Sequence, residues 1–376
     1  MNILFIGPYR QADEFAKFSI NYIKALSLTG HNIAIAPIYM GNTANLKLKD
    51  ELLELENKKF EKYDIIIQNV LPIFFEKQEG YNIGIHYNET KNLKNSLFID
   101  KMNLMDELWV CSESEKQTLI KAGVKCKINI VPIPIDIEEL KTYENVEPTK
   151  IPALENKFVF YIMGDYIERK NLHAAIIAYN LEFTKENDVG FLIQSNIPNQ
   201  TLDESIKKIQ EDIINLKKKL RLYNNSSLYN NEVIVSSNLD LENRISLYKA
   251  CNCLIIPSRA EAYSDIAFES LYVGNSIICN KDLHLSNLLN DFYGVESYEV
   301  PCIMNNPANP IFYTSWETWN EINILDLQNK MRETYNKGKE NNIDEVIKKA
   351  KGKSWVVNNF SFEKISNKMK EILCQL

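Results

Sequence analysis

The sequence contains no hydrophobic run that reaches the roughly 18 consecutive apolar residues needed to span a bilayer. Its opening residues, 1–7, are a short apolar segment without the preceding basic stretch of a signal peptide. The seven cysteines are an odd number without regular spacing, which indicates reduced thiols rather than a disulfide framework. We therefore expect a cytoplasmic protein that is soluble or that associates peripherally with the inner face of a membrane.

Metal-ligand patterns are also missing. The four histidines are scattered along the chain, at His31, His86, His173 and His284. Neither they nor the cysteines have zinc-binding spacing, and the sequence has no Asp-x-Asp pair of the kind that binds a divalent ion. The sequence therefore predicts no metal site.

The chain lacks an excess of positive charge. It carries 43 Lys and Arg against 50 Asp and Glu, a formal net charge of −7, which argues against a dedicated nucleic-acid binder. Hydrophobic residues at 45% and charged residues at 25% are ordinary for a globular protein. With 376 residues, the chain can form two domains that each bury a core.

What the chain does contain is a repeated alternation of strand and helix patterns. A first series predicts strands at 2–6, 31–37, 63–68, 81–86, 105–112 and 127–136. A polar segment at 142–155 predicts a linker, after which a second series begins with a strand at 158–163. Helices are predicted at 15–28, 47–62, 171–183, 202–220 and 241–249, after a Ser112 cap, near Asp265 and from about Ser361. Such alternation predicts an α/β protein with parallel sheets.

Two glutamates follow one predicted strand of the second series. That strand, 251–256, ends at a proline, so Glu261 is expected in the loop after it and Glu269 in the first turns of the next helix. Ligands of parallel sheets bind at the carboxyl ends of the strands, and carboxylates there can accept hydrogen bonds from sugar and ribose hydroxyls. The alternative is that both are solvated surface acids.

A basic pair follows the first strand of the second series. Arg169 and Lys170 lie between Gly164 and the predicted helix at 171–183. Cations beside a helix amino terminus form a phosphate site, because the backbone N–H groups and the positive end of the helix dipole point the same way. The alternative is a charged turn on the surface.

Residues 257–261 (PSRAE) and 269–278 (ESLYVGNSII) resemble the donor-site signature of the retaining GT-B glycosyltransferases, a large family of polysaccharide and disaccharide-phosphate enzymes. Tyr263 matches the aromatic residue of this signature, whereas Ala262 and Ser264 replace its glycines. Segment 106–136 is similar to the last part of the family's amino-terminal domain.

The resemblance implies an α/β fold with two Rossmann-like, doubly wound domains that face a central cleft. Residues 1–150 correspond to the acceptor domain, completed by a carboxyl-terminal helix at about 358–376, and 151–357 to the donor domain. The implied reaction transfers a sugar from a UDP- or GDP-sugar to a carbohydrate, lipid-linked or small-molecule acceptor with retention and without a cofactor. Because the sequence has no Asp-x-Asp pair, we expect that the reaction needs no divalent ion. Bacterial-type surface polysaccharide synthesis is the expected setting.

The resemblance also implies roles for individual residues. The implied catalytic residues are Lys170, Glu261 and His86. Lys170, helped by Arg169, would stabilise the leaving diphosphate, and Glu261 and His86 would hold the donor sugar. The implied nucleotide-sugar contacts are Arg169, Lys170, Ser236, Asn238, Tyr263, Ser264, Asp265 and Glu269. Within this set Glu269 would bind the ribose hydroxyls, and the loop that carries Ser236 and Asn238 would touch the base.

Several alternatives stay open at this point. His86, at a predicted strand end, is either functional or a satisfied structural histidine. Arg10, in the first loop, either pairs with an anion or is solvated. Asp165 stands where the family has an arginine, and with the missing glycines it favours the alternative of a catalytically inactive GT-B-like partner or scaffold. An epimerase or phosphorylase would share the fold, although no segment indicates the pyridoxal-bearing lysine of a phosphorylase.

Overall fold

The structure is a computed structural model that describes residues 1–40, 46–302, 316–340 and 343–376. The chain divides into two compact units. The first comprises Met1–Ile137, Pro310–Glu317 and Val357–Leu376, and the second comprises Glu138–Asn309 and Thr318–Val356. Among the described residues, no helix combines the length and the apolar character that crossing a membrane requires.

The strands are short and mostly buried. In chain order they are β1 (Asn2–Gly7), β2 (Asn32–Pro37), β3 (Ile65–Gln68), β4 (Tyr81–Ile85), β5 (Glu107–Val110), β6 (Lys127–Ile130), β7 (Phe158–Met163), β8 (Val189–Gln194), β9 (Glu232–Val235), β10 (Cys253–Ile256), β11 (Ser276–Asn280), β12 (Tyr293–Val295), β13 (Ser297–Pro301) and β14 (Thr318–Ile322). Every residue of β3, β5, β7, β8, β10 and β11 is buried. Continuous burial is typical of parallel strands covered by helices on both faces.

An α-helix follows most of these strands along the chain. The helices are α1 (Glu14–Ser27), α2 (Asp50–Asn57), α3 (Ser96–Met102), α4 (Glu113–Ala122), α5 (Ile137–Thr142), α6 (Leu172–Glu182), α7 (Leu202–Leu220), α8 (Leu241–Lys249), α9 (Asp265–Val273), α10 (Ile324–Lys339), α11 (Ile343–Phe360) and α12 (Phe362–Leu373). Of these, α10, α11 and α12 come after the last strand. The predicted α7 and α8 are confirmed to the residue, as is strand β7.

Local signals account for several helix ends. The Ser112 hydroxyl accepts a hydrogen bond from the Glu115 N–H at 3.2 Å, and Gly123 ends α4 with a φ of 103°. Both features were predicted. The helix predicted at 47–62 is wrong in extent, because α2 spans only Asp50–Asn57. Leu52 is its only buried residue, so the flanking turns lack the packing that stabilises a short helix.

Each unit contains one six-stranded sheet in which all neighbouring strands are parallel. The strand order is β2-β1-β3-β4-β5-β6 in the first unit and β12-β11-β10-β7-β8-β9 in the second. In the second sheet the chain runs outward from β7 to β9, then returns to the other side of β7 for β10. The boundary between β7 and β10 is therefore a topological switch point, where open α/β sheets bind their ligands.

The elements of the second unit that the sequence did not predict include an antiparallel ribbon and helix α10. Strands β13 and β14 form an antiparallel ribbon, with Val300 opposite Trp319. Helix α10 follows it and packs against α6. Tyr335 of α10 lies 5.9 Å from Phe158 and 5.5 Å from Phe183, ring centroid to ring centroid. Through these contacts α10 covers one face of the sheet in the second unit.

Candidate functional site

The loop after β7 makes a sharp turn before α6. Gly164 has a φ of 134°, a conformation that other residues rarely adopt, and a Cβ there would lie 3.6 Å from Lys170 Cδ. One turn of 3-10 helix, Glu168–Lys170, follows it, and Asn171 then begins α6 with a φ of 51°. This geometry places two consecutive cations, Arg169 and Lys170, at the carboxyl end of β7.

The loop after β10 supplies the partner of both cations. Lys170 Nζ lies 2.7 Å from Glu261 Oε2, and Arg169 Nη1 lies 3.2 Å from Glu261 Oε1. The Ser258 hydroxyl donates a hydrogen bond to Glu261 Oε2 at 3.2 Å, and Arg169 Nη1 also donates to the Ala260 carbonyl at 2.9 Å. Glu261 is 5% exposed, so the alternative of a solvated surface acid is wrong. The cluster Arg169–Lys170–Glu261 joins the two strands of the switch point.

The cluster has a net positive charge. Burial by itself would raise the pKa of Glu261, but the attraction of Lys170 and Arg169 outweighs it and holds that pKa below the ordinary value. Glu261 is therefore ionised at neutral pH, and two cations face one anion. The side chains of Arg169 and Lys170 are 18% and 16% exposed, so they are partly shielded but still reach solvent. Such a cluster can bind an additional anion.

Arg259, which the sequence analysis did not single out, connects the two loops. Its backbone N–H donates to the Arg169 carbonyl at 2.8 Å. Its guanidinium lies 2.6 Å from Glu321 Oε2 on β14 and 2.7 Å from Glu168 Oε1. Asn171 Nδ2 also donates to Glu321 Oε1, at 2.9 Å. Glu321 is 62 residues from Arg259, so no local pattern in the sequence could have indicated the pair.

The second predicted acid has a different set of partners. Glu269 lies in α9, as predicted, and is 3% exposed, so the surface-acid alternative is wrong for it as well. Arg244 of α8 donates two parallel hydrogen bonds to the Glu269 carboxylate, from Nε to Oε2 at 2.8 Å and from Nη2 to Oε1 at 2.7 Å. The Tyr248 hydroxyl donates to Oε2 at 2.9 Å. Arg244 and Tyr248 are four residues apart on α8 and so lie on one face of this helix. Because α8 was predicted, this spacing could have indicated from the sequence that the two side chains share a partner.

The predicted base-contacting loop follows β9. The Ser236 hydroxyl donates to Asn196 Oδ1 at 2.6 Å, and Asn196 Nδ2 donates to Asn238 Oδ1 at 3.2 Å. Asn196 follows β8, so its amide holds the loops after β8 and β9 together. Arg244 Nη1 donates to the Leu239 carbonyl at 3.0 Å, which connects the same loop to Glu269.

The predicted donor-loop residues surround the start of α9. Ser264 is the amino-terminal cap of this helix, since its hydroxyl accepts a hydrogen bond from the Ala267 N–H at 3.4 Å, and Asp265 is the first helical residue. The Tyr263 ring packs against Phe268, 5.0 Å between centroids. Lys170, Glu261 and Ser264 together line a small cavity at the ends of β7 and β10.

His86 belongs to the first unit, where it follows β4. It is 7% exposed, its backbone N–H donates to the Trp109 carbonyl at 3.0 Å, and its ring meets Phe98 of α3 edge-on at 6.5 Å. Its role toward a sugar stays a prediction. Arg10 of the same unit pairs with Glu56, Nη2 to Oε2 at 2.6 Å, so the anion it binds comes from its own chain.

The last feature to consider is metal binding, for which the sequence predicted no site. Within residues 1–40, 46–302, 316–340 and 343–376, no group of three or more His, Cys, Asp or Glu side chains is arranged to hold a metal ion.

Comparison with known proteins identifies the fold. No family model matches the sequence, and no curated protein matches it significantly. Solved structures do match over the whole chain. HepE from Anabaena, solved with UDP-glucose, is 13% identical with a TM-score of 0.64, and all of both chains align. Sucrose-phosphate synthase from Thermosynechococcus elongatus is 12% identical with a TM-score of 0.64, covering 100% of this chain and 98% of that one.

A glycosyltransferase from Rickettsia africae, 15% identical, gives a TM-score of 0.65 over 100% of this chain and 98% of its own. These likenesses, together with the two parallel six-stranded sheets and their helices, show that the chain has the GT-B fold of the nucleotide-sugar glycosyltransferases. The predicted fold class is confirmed. At these identities the likeness establishes the fold.

Proposed function

We propose that this protein is a glycosyltransferase that moves a sugar from a nucleotide-diphosphate sugar to an acceptor, with retention at the anomeric carbon. The observation that carries the proposal is the cluster Arg169–Lys170–Glu261 at the switch point between β7 and β10. An α/β sheet binds its ligand there, and the cluster combines two cations suited to a diphosphate with a carboxylate suited to sugar hydroxyls.

The proposed chemistry follows from the charges. The bond between the anomeric carbon and the diphosphate oxygen breaks, and the leaving diphosphate takes the electron pair. Lys170 and Arg169 stabilise the negative charge that develops on it, an electrostatic effect that is strongest in a partly desolvated site. The acceptor hydroxyl forms the new bond on the same face of the sugar, where the departing diphosphate oxygen is the nearest base for its proton. Two protein cations at the diphosphate are the reason to propose that the reaction needs no metal or other cofactor.

The remaining predicted residues take roles in donor binding. Glu261 would hold the sugar and Glu269 the ribose hydroxyls, and the sequence resemblance supports a role for His86 toward the sugar. The loop that carries Ser236 and Asn238 would contact the base of a UDP- or GDP-sugar, while Tyr263, Ser264 and Asp265 would form the edge of the site. The UDP-glucose in the HepE structure supports UDP as the first nucleotide to test.

We propose a carbohydrate or lipid-linked acceptor in the synthesis of a bacterial-type surface polysaccharide or glycoconjugate, at the cytoplasmic face of a membrane. The support is the sequence resemblance to the retaining GT-B enzymes. The same resemblance supports an acceptor domain at 1–150 and about 358–376, and a donor domain at 151–357.

A binding panel tests the donor site first. UDP, GDP, ADP and their common sugars are titrated by calorimetry, with thermal-shift measurements in parallel. We expect one nucleotide to bind and to raise the melting temperature, and Lys170→Met to weaken that binding. Product analysis with the matching sugar nucleotide would then show whether the anomeric configuration is retained.

The competing proposal is an inactive GT-B-like scaffold. Asp165 favours it, because this exposed acid lies next to Gly164 and would repel a diphosphate. The scaffold alternative predicts that no nucleotide of the panel binds, or that one binds without transfer of its sugar to any acceptor tested.

A further inference from the structure

We infer that Arg244 is a positioning residue for the nucleotide ribose: it fixes the Glu269 carboxylate and ties it to the loop proposed to contact the base. The inference rests on the proposed function, because it assigns Arg244 a part in the same donor site. No part of the sequence signature indicated Arg244.

The first observation is the geometry of the pair. Arg244 contacts both oxygens of Glu269, at 2.8 and 2.7 Å, and this bidentate arrangement sets the plane of the carboxylate as well as its position. Tyr248 adds a third hydrogen bond, at 2.9 Å. A carboxylate on a flexible glutamate side chain thereby acquires a single orientation.

The second observation is the connection to the neighbouring loop. The remaining terminal nitrogen, Arg244 Nη1, donates to the Leu239 carbonyl at 3.0 Å. Leu239 directly follows Asn238, whose side chain accepts a hydrogen bond from Asn196. One guanidinium therefore connects the ribose acid on α9 with the loop after β9, so the distance between the two binding elements is set by Arg244.

A further argument comes from the effect of replacing Arg244 with lysine. A lysine would keep the positive charge next to Glu269, but its single ammonium cannot reproduce two parallel hydrogen bonds together with a third to Leu239. Arg244→Lys therefore removes the orientation while it retains the charge, which separates positioning from simple charge compensation.

The test measures discrimination between ribose and deoxyribose. Calorimetry gives the dissociation constants of the nucleoside diphosphate that binds in the panel and of its 2′-deoxy and 3′-deoxy analogues, for wild type, Arg244→Lys, Tyr248→Phe and Glu269→Gln. We expect wild type to bind the ribonucleotide about tenfold to a hundredfold more tightly than a deoxy analogue, the range of one charge-assisted hydrogen bond. The quantity compared between variants is the ratio of the dissociation constant of the deoxy analogue to that of the ribonucleotide. Arg244→Lys should lower this ratio at least about threefold, toward the Glu269→Gln value, and Tyr248→Phe should lower it less.

The matched control is Arg332→Lys. Arg332 of α10 also uses Nε to bind a glutamate, Glu182 Oε1 at 2.6 Å, and also donates to a backbone carbonyl, at 2.9 Å, but it lies on a helix that carries no predicted site residue. The control should leave the ratio unchanged. A purely structural role of Arg244 would lower the melting temperature and leave the ratio at the wild-type value, which would overturn the inference.

Failure of the inference and failure of the proposed function give different results. If Glu269→Gln lowers the ratio and Arg244→Lys and Tyr248→Phe do not, the donor site stands and the positioning role is wrong. If no nucleotide binds to wild type, the proposed function is wrong and the inference falls with it. If Arg244→Lys does not fold, Tyr248→Phe tests whether the hydrogen bonds that orient Glu269 matter for ribose binding, and a ratio at the wild-type value would overturn the inference.

Discussion

Replacing Lys170 with methionine removes the nearer of the two cations that hold the buried Glu261 carboxylate. Methionine keeps most of the length and the apolar character of the lysine side chain, so the change acts mainly on charge. Glu261 keeps Arg169 at 3.2 Å and the Ser258 hydroxyl at 3.2 Å. We expect a cost of about 1.5–3 kcal/mol in the free energy of unfolding, the range of one charged hydrogen bond. Complete isolation of a buried charge would cost more, roughly 3–5 kcal/mol.

The cost should depend on pH. In wild type the pKa of Glu261 is lowered below its ordinary value of 4.5, so its contribution to stability is present above about pH 4.5 and is lost as the pH falls through the lower folded-state pKa. Without Lys170, Arg169 is the remaining cation of the cluster that opposes the effect of burial, which raises this pKa. The variant's carboxyl group is then protonated at a higher pH than that of wild type. The difference in stability between the two proteins should therefore be largest near neutral pH and should shrink as the solution is acidified.

The measurements are urea unfolding at a series of pH values and calorimetric titration of the nucleotide. The matched control is Lys217→Met, because Lys217 Nζ lies 2.6 Å from Glu232 Oε2, with side chains 7% and 4% exposed. Glu232 begins β9, at the opposite end of the strands from the Arg169–Lys170–Glu261 cluster. Both variants should be destabilised, but only Lys170→Met should lose nucleotide affinity, by about tenfold to a hundredfold. Equal affinities in the two variants, or a stability difference that does not change with pH, would refute the reasoning.

Three further predictions follow from the same loops. Asp165→Arg should strengthen nucleotide-diphosphate binding by up to about tenfold, since an exposed acid is replaced by a cation beside the cluster; weaker or unchanged binding in calorimetry would show that the diphosphate does not approach Gly164. Gly164→Ala should destabilise the protein by more than about 1 kcal/mol in urea unfolding, because its φ of 134° is strained for alanine, and an unchanged midpoint would contradict this. Sugar transfer should be unaffected by excess chelator, and loss of turnover that added Mg²⁺ restores would show that the two protein cations are insufficient.

The sequence by itself determined many of the alternating strands and helices and the edge of the sheet at which the candidate site lies. Strand β7, helix α8 and the Ser112 cap depend on neighbouring residues, through apolar periodicity and capping, and these local signals were sufficient to predict them. The loops that carry Lys170 and Glu261 follow strands, so their position at the carboxyl edge of a parallel sheet was also predictable. The resemblance to the GT-B family added the grouping of these residues into one site.

The tertiary structure decided which charges meet. Lys170 and Glu261 are 91 residues apart, and their contact exists because the chain crosses the sheet to place β10 beside β7, an order that no local pattern encodes. The pairing of Arg259 with Glu321 likewise requires the ribbon of β13 and β14, which the sequence did not reveal. Residue types show that a cation or an acid is present at a position, whereas burial and partners, which set its pKa and orientation, arise only when distant segments pack together.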